Sequence, residues 1–291
     1  MRNLSLTALL LLLLSACHPK TASNPETAVV SVSILPQHYF IERLAGDLVE
    51  VNVMIPPGAS PATYEPTLSQ LNSLRQSDLY LRIGHIGFEL SWMEKILSVN
   101  PGMRVVDLSK GIALIEGTGD DQEHGHGHRH RGTNPHVWMS ARNAGVIATN
   151  MHEALCSLLP GEKEVLSSNL ATLLLELDSL DQAISEIVSG MDHRSFMIYH
   201  PSLSYFARDY QLEQLPLEVE GKTPSPAHMK QMSDLGKRHH ISAIFVQKQF
   251  DQKNAEALAR EIGAKIVQID PLDYNWHSQM LFIATQLSRS L

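Results

Sequence analysis

Four histidines stand within seven residues at His124-Gly125-His126-Gly127-His128-Arg129-His130. Imidazoles separated by glycine and arginine can fold around a transition metal in many ways. Ordering such a segment costs conformational entropy, so its affinity is expected to be below that of a preformed site. Three isolated residues of ligand type occupy a different context, at or just beyond expected strand ends, where open α/β sheets place their sites. His136 lies in Asn134-Pro135-His136-Val137-Trp138, His200 follows Phe196-Met197-Ile198-Tyr199, and Asp270 follows Lys265-Ile266-Val267-Gln268-Ile269. Two imidazoles and one carboxylate suit Zn²⁺ and, with lower preference, Mn²⁺ or Fe²⁺. Three protein ligands leave one tetrahedral position open. Water, Glu65, His85, His38 or a loop histidine such as His130 are the residues and solvent positioned by sequence to fill it.

Other histidines carry less. His239-His240 reads as a helix-end cap, where cations meet the favourable end of the dipole. His152 falls on an apolar-patterned helix, and His228 and His277 have no evident partner in the sequence. Trp138 and Trp276, close in sequence to His136 and Asp270, are expected to pack.

The elements that must hold these residues are legible as alternating apolar runs. Strands are expected at Val29–Ile34, Val51–Ile55, Leu79–Ile83 and Met103–Leu108, with helices at His38–Ala45, Ser69–Gln76 and Glu89–Leu97 between them. Residues 117–133, rich in Gly, Asp and His, interrupt the rhythm as a loop. Ala141–Leu159 is helical and is closed by Pro160-Gly161. From about Glu162 to Ser189 a longer helix, roughly 40 Å at 1.5 Å per residue, carries Leu166, Leu170, Leu173, Leu177, Leu180, Ile184 and Ile187 at spacings of four and three. That stripe fits a dimeric coiled coil or a rigid spine packed along two lobes. Leu174 and Leu175 widen the apolar face and favour the spine. The βα rhythm resumes with strands at Phe196–Tyr199, Leu215–Val219, Ala243–Gln247 and Lys265–Ile269 and helices at Ser202–Tyr210, Pro226–Lys237 and Gln252–Ile262. The fold class is therefore α/β, with two lobes of mostly parallel sheet joined by one long helix. The divisions are 1–17, 18–28, 29–160, 161–190 and 191–291.

The first seventeen residues read as an address. Arg2 supplies the positive region, Leu6–Leu14 an apolar run too short to span a bilayer, and Leu14-Ser15-Ala16-Cys17 the bacterial lipobox pattern. That likeness implies cleavage before Cys17 and its lipidation, with residues 18–28 as a tether outside the cytoplasm. Of the two cysteines, only Cys156 then remains, in an apolar setting that suits a packed thiol. A net charge of −8 excludes a strongly basic surface for nucleic acid, and 43% hydrophobic residues argue for a globular chain.

Pro57-Gly58-Ala59-Ser60-Pro61-Ala62-Thr63-Tyr64-Glu65-Pro66, Asn134–Trp138, His200-Pro201-Ser202-Leu203-Ser204-Tyr205-Phe206-Ala207 and Asp270-Pro271-Leu272, in that order, resemble the zinc/manganese-binding lipoproteins of ABC importers. These form the ZnuA/TroA-like solute-binding family, cluster A-I. The resemblance covers essentially the whole chain after Cys17. It implies two pseudo-symmetric lobes with a metal in the cleft, little hinge motion, a monomer, and a membrane permease as partner. It carries ligand roles onto His136, His200 and Asp270. It departs at Ala62, where the family places its first histidine. The function expected is extracytoplasmic capture of Zn²⁺, or of Mn²⁺, for an importer. The competing readings are a storage or scavenging lipoprotein and a zinc hydrolase. The hydrolase reading lacks a His-Glu-x-x-His helix and a Gly-x-Ser-x-Gly elbow.

Overall fold

The computed structural model describes residues 27–116, 132–218, 223–250 and 252–290. Cys17, residues 18–26 of the tether and the four loop histidines fall outside them, and the tether's last residue, Ala28, is the first of a strand.

Four parallel strands, β1 (Ala28–Val32), β2 (Val49–Val53), β3 (Leu79–Arg82) and β4 (Arg104–Asp107), form a sheet in the order β2-β1-β3-β4. The crossovers carry α1 (Leu35–Ala45), α2 (Leu68–Ser73) and α3 (Gly87–Val99). After α4 (Ala141–Leu158) and α5 (Lys163–Ser189) the pattern repeats. The second sheet contains β5 (Ser195–Ile198), β6 (Glu213–Pro216), β7 (Ala243–Gln247) and β8 (Lys265–Ile269), in the order β6-β5-β7-β8. Its helices are α6 (Ser204–Asp209), α7 (Pro226–Arg238), α8 (Lys253–Ile262) and α9 (Trp276–Ser288). In both sheets the chain leaves the first strand on one side and returns on the other. Each sheet therefore has a switch point beside its first strand, and loops diverge there to leave a crevice.

Some boundaries differ from the sequence expectation. Helix α1 begins at Leu35 rather than His38, because Pro36 fits the first turn, where its missing N–H costs nothing. Strand β6 lies two residues early and ends at Pro216, which has no N–H to continue a ladder. Helix α9 was not anticipated, since Asn275 supplies no side-chain cap. Its buried stripe of Trp276, Met280, Ile283, Ala284 and Leu287 is the signal that marks it.

The long helix is a spine. Leu166, Leu173, Leu177, Leu180, Ile184 and Val188 of α5 are buried, facing α4, α9 and α1 of the same chain. The stripe that fits a coiled-coil dimer is therefore consumed within the chain. Leu175 is corrected: it is 69% exposed and adds nothing to that face, whereas Leu174 is partly buried. One continuous apolar core runs from Val30 in the first sheet through α4 and α5 to Phe196, Phe245 and Trp276 in the second lobe. A shared, close-packed core resists large rotation of one lobe against the other. Among the described residues, no helix is long and apolar enough to cross a membrane.

Candidate metal site

His200 enters the crevice directly from β5. Its backbone is held to the neighbouring strand's end: His200 N–H donates to Gln247 Oε1 at 3.3 Å, and Gln247 Nε2 donates to His200 O at 2.6 Å. The ring stacks on Phe250, with centroids 4.9 Å apart and planes 20° apart. Its Nδ1 lies 2.7 Å from Oε2 of the buried Glu218. A carboxylate there accepts the Nδ1 proton, so the lone pair sits on Nε2.

His136 arrives by another route. It is not at a strand end: it lies between the isolated bridge Glu116–Thr133 and helix α4. Ser140 caps α4 by accepting from Asn143 N–H at 3.0 Å. The Ser140 hydroxyl also donates to Asp209, which ties this turn to the second lobe. The His136 Nδ1 lies 3.1 Å from Asn134 Oδ1, and Asn134 is anchored in turn by Ser204 and by Tyr205, whose hydroxyl donates to its carbonyl at 2.9 Å. The indole of Trp138 donates to Pro271 O, and that of Trp276 donates to Trp138 O, both at 2.8 Å. These two bonds lock the His136 loop to the loop that follows β8.

The two imidazoles meet. His136 Nε2 and His200 Nε2 are 3.3 Å apart, although 64 residues separate them in sequence. Burial, and then the charge of His200, hold the His136 pKa well below 6.5. Its ring is thus kept neutral and able to ligate. Both rings line a cavity of about 50 Å³ that also touches Ala62, Trp138, Phe250 and Leu272.

Asp270 is not brought to this pair. Its Oδ1 accepts from Gln249 Nε2 and from Leu272 N–H, each at 3.1 Å, and its Oδ2 lies 3.2 Å from Lys248 Nζ. Its carboxylate borders an adjoining cavity with Asp273 and Tyr274, and Gln249 lines both spaces. Among the described residues, no three His, Cys, Asp or Glu side chains form a group able to hold a metal ion. The candidates for the open position are also elsewhere. His85 follows β3, partly exposed, and does not line the imidazole cavity. His38 sits on α1, edge-on to Tyr274 at 5.3 Å. Glu65 is exposed. His130 lies outside the described residues.

Sequence reasoning missed Glu218, Lys248 and Gln249. Glu218 had a signal, an acid just past an apolar strand. Lys248 and Gln249 had none, because polar residues after β7 gain their meaning only from Asp270 at the end of the paired strand β8.

A family model described as "Zinc-uptake complex component A periplasmic" matches residues 30–286. This chain belongs to that family. Zinc-uptake components in solved form share its architecture: a crystal structure of ZnuA is 37% identical, covers 91% of this chain and 99% of that one, and has a TM-score of 0.85. The high-affinity zinc uptake system protein ZnuA of Bacillus subtilis (strain 168) is 27% identical over 274 residues, 90% of this chain and 85% of that protein. The zinc-binding lipoprotein AdcA of Streptococcus pneumoniae (strain ATCC BAA-255 / R6) is 27% identical over 278 residues, 93% of this chain and 55% of that protein. The chain thus spans about half the length of the AdcA relatives.

Proposed function

We propose that this protein is an extracytoplasmic receptor that captures Zn²⁺ between its lobes through His136 and His200 and delivers it to the permease of an ABC importer. Mn²⁺ is the alternative cargo. The observation that carries this reading is the 3.3 Å separation of the two Nε2 atoms. Zinc–nitrogen bonds of about 2.0–2.1 Å at a tetrahedral angle put two ligand nitrogens about 3.3–3.4 Å apart. Two facing lone pairs at that distance repel unless a proton or a metal cation lies between them. Their outer nitrogens are engaged by Asn134 and Glu218, the arrangement that orients metal-binding imidazoles. Family membership supports the same reading, as do relatives named for zinc uptake and zinc binding.

The finer parts rest on sequence. Lipidation of Cys17 tethers the chain to a bacterial membrane, the chain acts as a monomer, and His124, His126, His128 and His130 collect zinc for the cleft. Asp270 joins as a ligand only on leaving Lys248 and Gln249.

Calorimetric titration of Zn²⁺ and Mn²⁺ tests the assignment, using the chain from Asn24, the same chain lacking residues 120–132, and each with His200→Ala. One tight Zn²⁺ site that survives the deletion and disappears with His200→Ala is the expected result. Tight binding that vanishes with the loop alone removes the cleft as an independent site.

A further inference from the structure

Resting on that reading, we infer that the cargo is a zinc complex of a small bidentate carboxylate, an α-amino or α-hydroxy acid, rather than the bare ion. The imidazole pair offers two of the four positions tetrahedral zinc requires. Among the described residues, the rest of the cavity wall supplies no imidazole, carboxylate or thiolate, and its hydroxyls are those of Ser60 and Ser202. Ala62 contributes a methyl group, and Pro61, Trp138, Phe250 and Leu272 are apolar. The polar lining is already engaged. Gln247 Nε2 donates to His200 O and to Ser202 Oγ at 2.6 and 2.7 Å, and Gln249 Nε2 donates to Asp270 at 3.1 Å. Asp270 answers Lys248 in the neighbouring space.

Charge makes the same argument. A dication between two neutral imidazoles has the single Glu218 carboxylate behind His200 as its nearest counter-charge, and the charge left uncompensated in such surroundings is costly. A carboxylate with an adjacent nitrogen or oxygen donor closes a five-membered chelate ring. It fills both open positions and lowers the net charge in one step. Space is adequate: a cavity of about 50 Å³ corresponds to about four water positions at ~10–15 Å³ each. Zinc and the two donor atoms fit those positions, and the rest of glycine or lactate extends towards the open mouth of the cavity.

The test follows cleft occupancy in the full chain through the fluorescence of Trp138, whose ring lies 5.3 Å from that of His136. Zn²⁺ is titrated at buffered free concentration alone, with glycine, and with lactate. The signal lost in His200→Ala is assigned to the cleft. At least one co-ligand is expected to lower the apparent Kd tenfold or more. Glycine acting alone selects a nitrogen–oxygen chelate, and lactate acting alone selects an oxygen–oxygen one. Ala62→His, at an exposed position lining the same cavity, is expected to bind bare Zn²⁺ at least tenfold more tightly than the parent and to respond less than twofold to either co-ligand. Equal affinities within twofold in all three arms of the parent overturn the chelate and leave the zinc-receptor reading standing. A signal that is independent of His200 in every arm, in parent and Ala62→His alike, overturns both.

Discussion

Replacing Glu218 by glutamine isolates what a buried carboxylate does for a ligand it never shares. Glu218 is 7% exposed, and its Oε2 lies 2.7 Å from Nδ1 of His200. As a carboxylate it can only accept, so Nδ1 must carry the proton and Nε2 must present its lone pair to the cavity. Glutamine has the same shape but offers both an acceptor and a donor. If its amide donates to Nδ1, the proton moves to Nε2 and the metal-facing lone pair is lost. A hydrogen bond to a charged group contributes about 1.5–3 kcal/mol, and loss of such outer partners weakens metal binding about 10–100-fold, or about 1.4–2.7 kcal/mol. Glu218→Gln is therefore expected to raise the Kd for Zn²⁺ by one to two decades, measured by competition with a chromophoric chelator in the protein lacking residues 120–132. Thermal unfolding gives an independent reading. At saturating metal, the zinc-induced stabilisation shrinks by RT ln of the same factor, about 2 kcal/mol for 30-fold. At about 2–4 °C per kcal/mol, this removes about 4–8 °C from the zinc-dependent rise in Tm. The metal-free Tm changes far less. A Kd within about threefold of the parent would refute the claim that Glu218 prepares His200 for a metal.

Three further outcomes follow from the same geometry. His136 is held neutral well below 6.5, while the unfolded chain takes up its proton near ~6.5. Metal-free stability is thus unaffected by this group above that pH and falls below it by up to about 1.4 kcal/mol per pH unit. Urea unfolding between pH 5 and 8 should show the slope flattened in His136→Asn. Glu89, buried and accepting from Ser33 Oγ, Ile83 N–H and Gly84 N–H, has its carboxyl raised from 4.5 to about 7, with burial the main cause. Its folded pKa lies above the unfolded one, so its contribution to stability is complete below pH ~4.5 and is lost as pH rises through about 7. The difference amounts to about 3 kcal/mol, and denaturant midpoints of Glu89→Gln should lack that part of the pH dependence. Lys248→Met frees Asp270 from a half-exposed ion pair that holds it by no more than ~1 kcal/mol. Competition titration should show Zn²⁺ binding tightened by up to about fivefold, a gain that disappears when Asp270→Asn is added.

Much of the architecture was legible in the residues. Apolar runs of four or five, one of them closed by Pro57-Gly58, announced the strands and the βα rhythm, because a parallel sheet covered on both faces must be apolar throughout. The stripe from Leu166 to Ile184 announced a long helix, because a period near 3.5 has no other use. Sequence alone also singled out His136 and His200, through their places after the loop and after Phe196–Tyr199 and through the resemblance that carries ligand roles onto them. Ala62 was visible as a missing ligand. What the stripe packs against was not legible, because a heptad pattern is the same whether its partner is another chain or α4 and α9. Nor was the fate of Asp270. Its position after β8 is a local fact, but its engagement with Lys248 and Gln249 depends on the pairing of β7 with β8. Only the folded chain brings two nitrogens 64 residues apart to 3.3 Å and pairs that carboxylate with Lys248 and Gln249. Local pattern fixes which residues stand at the ends of elements; the packing of the two lobes on one shared core decides which of those ends meet.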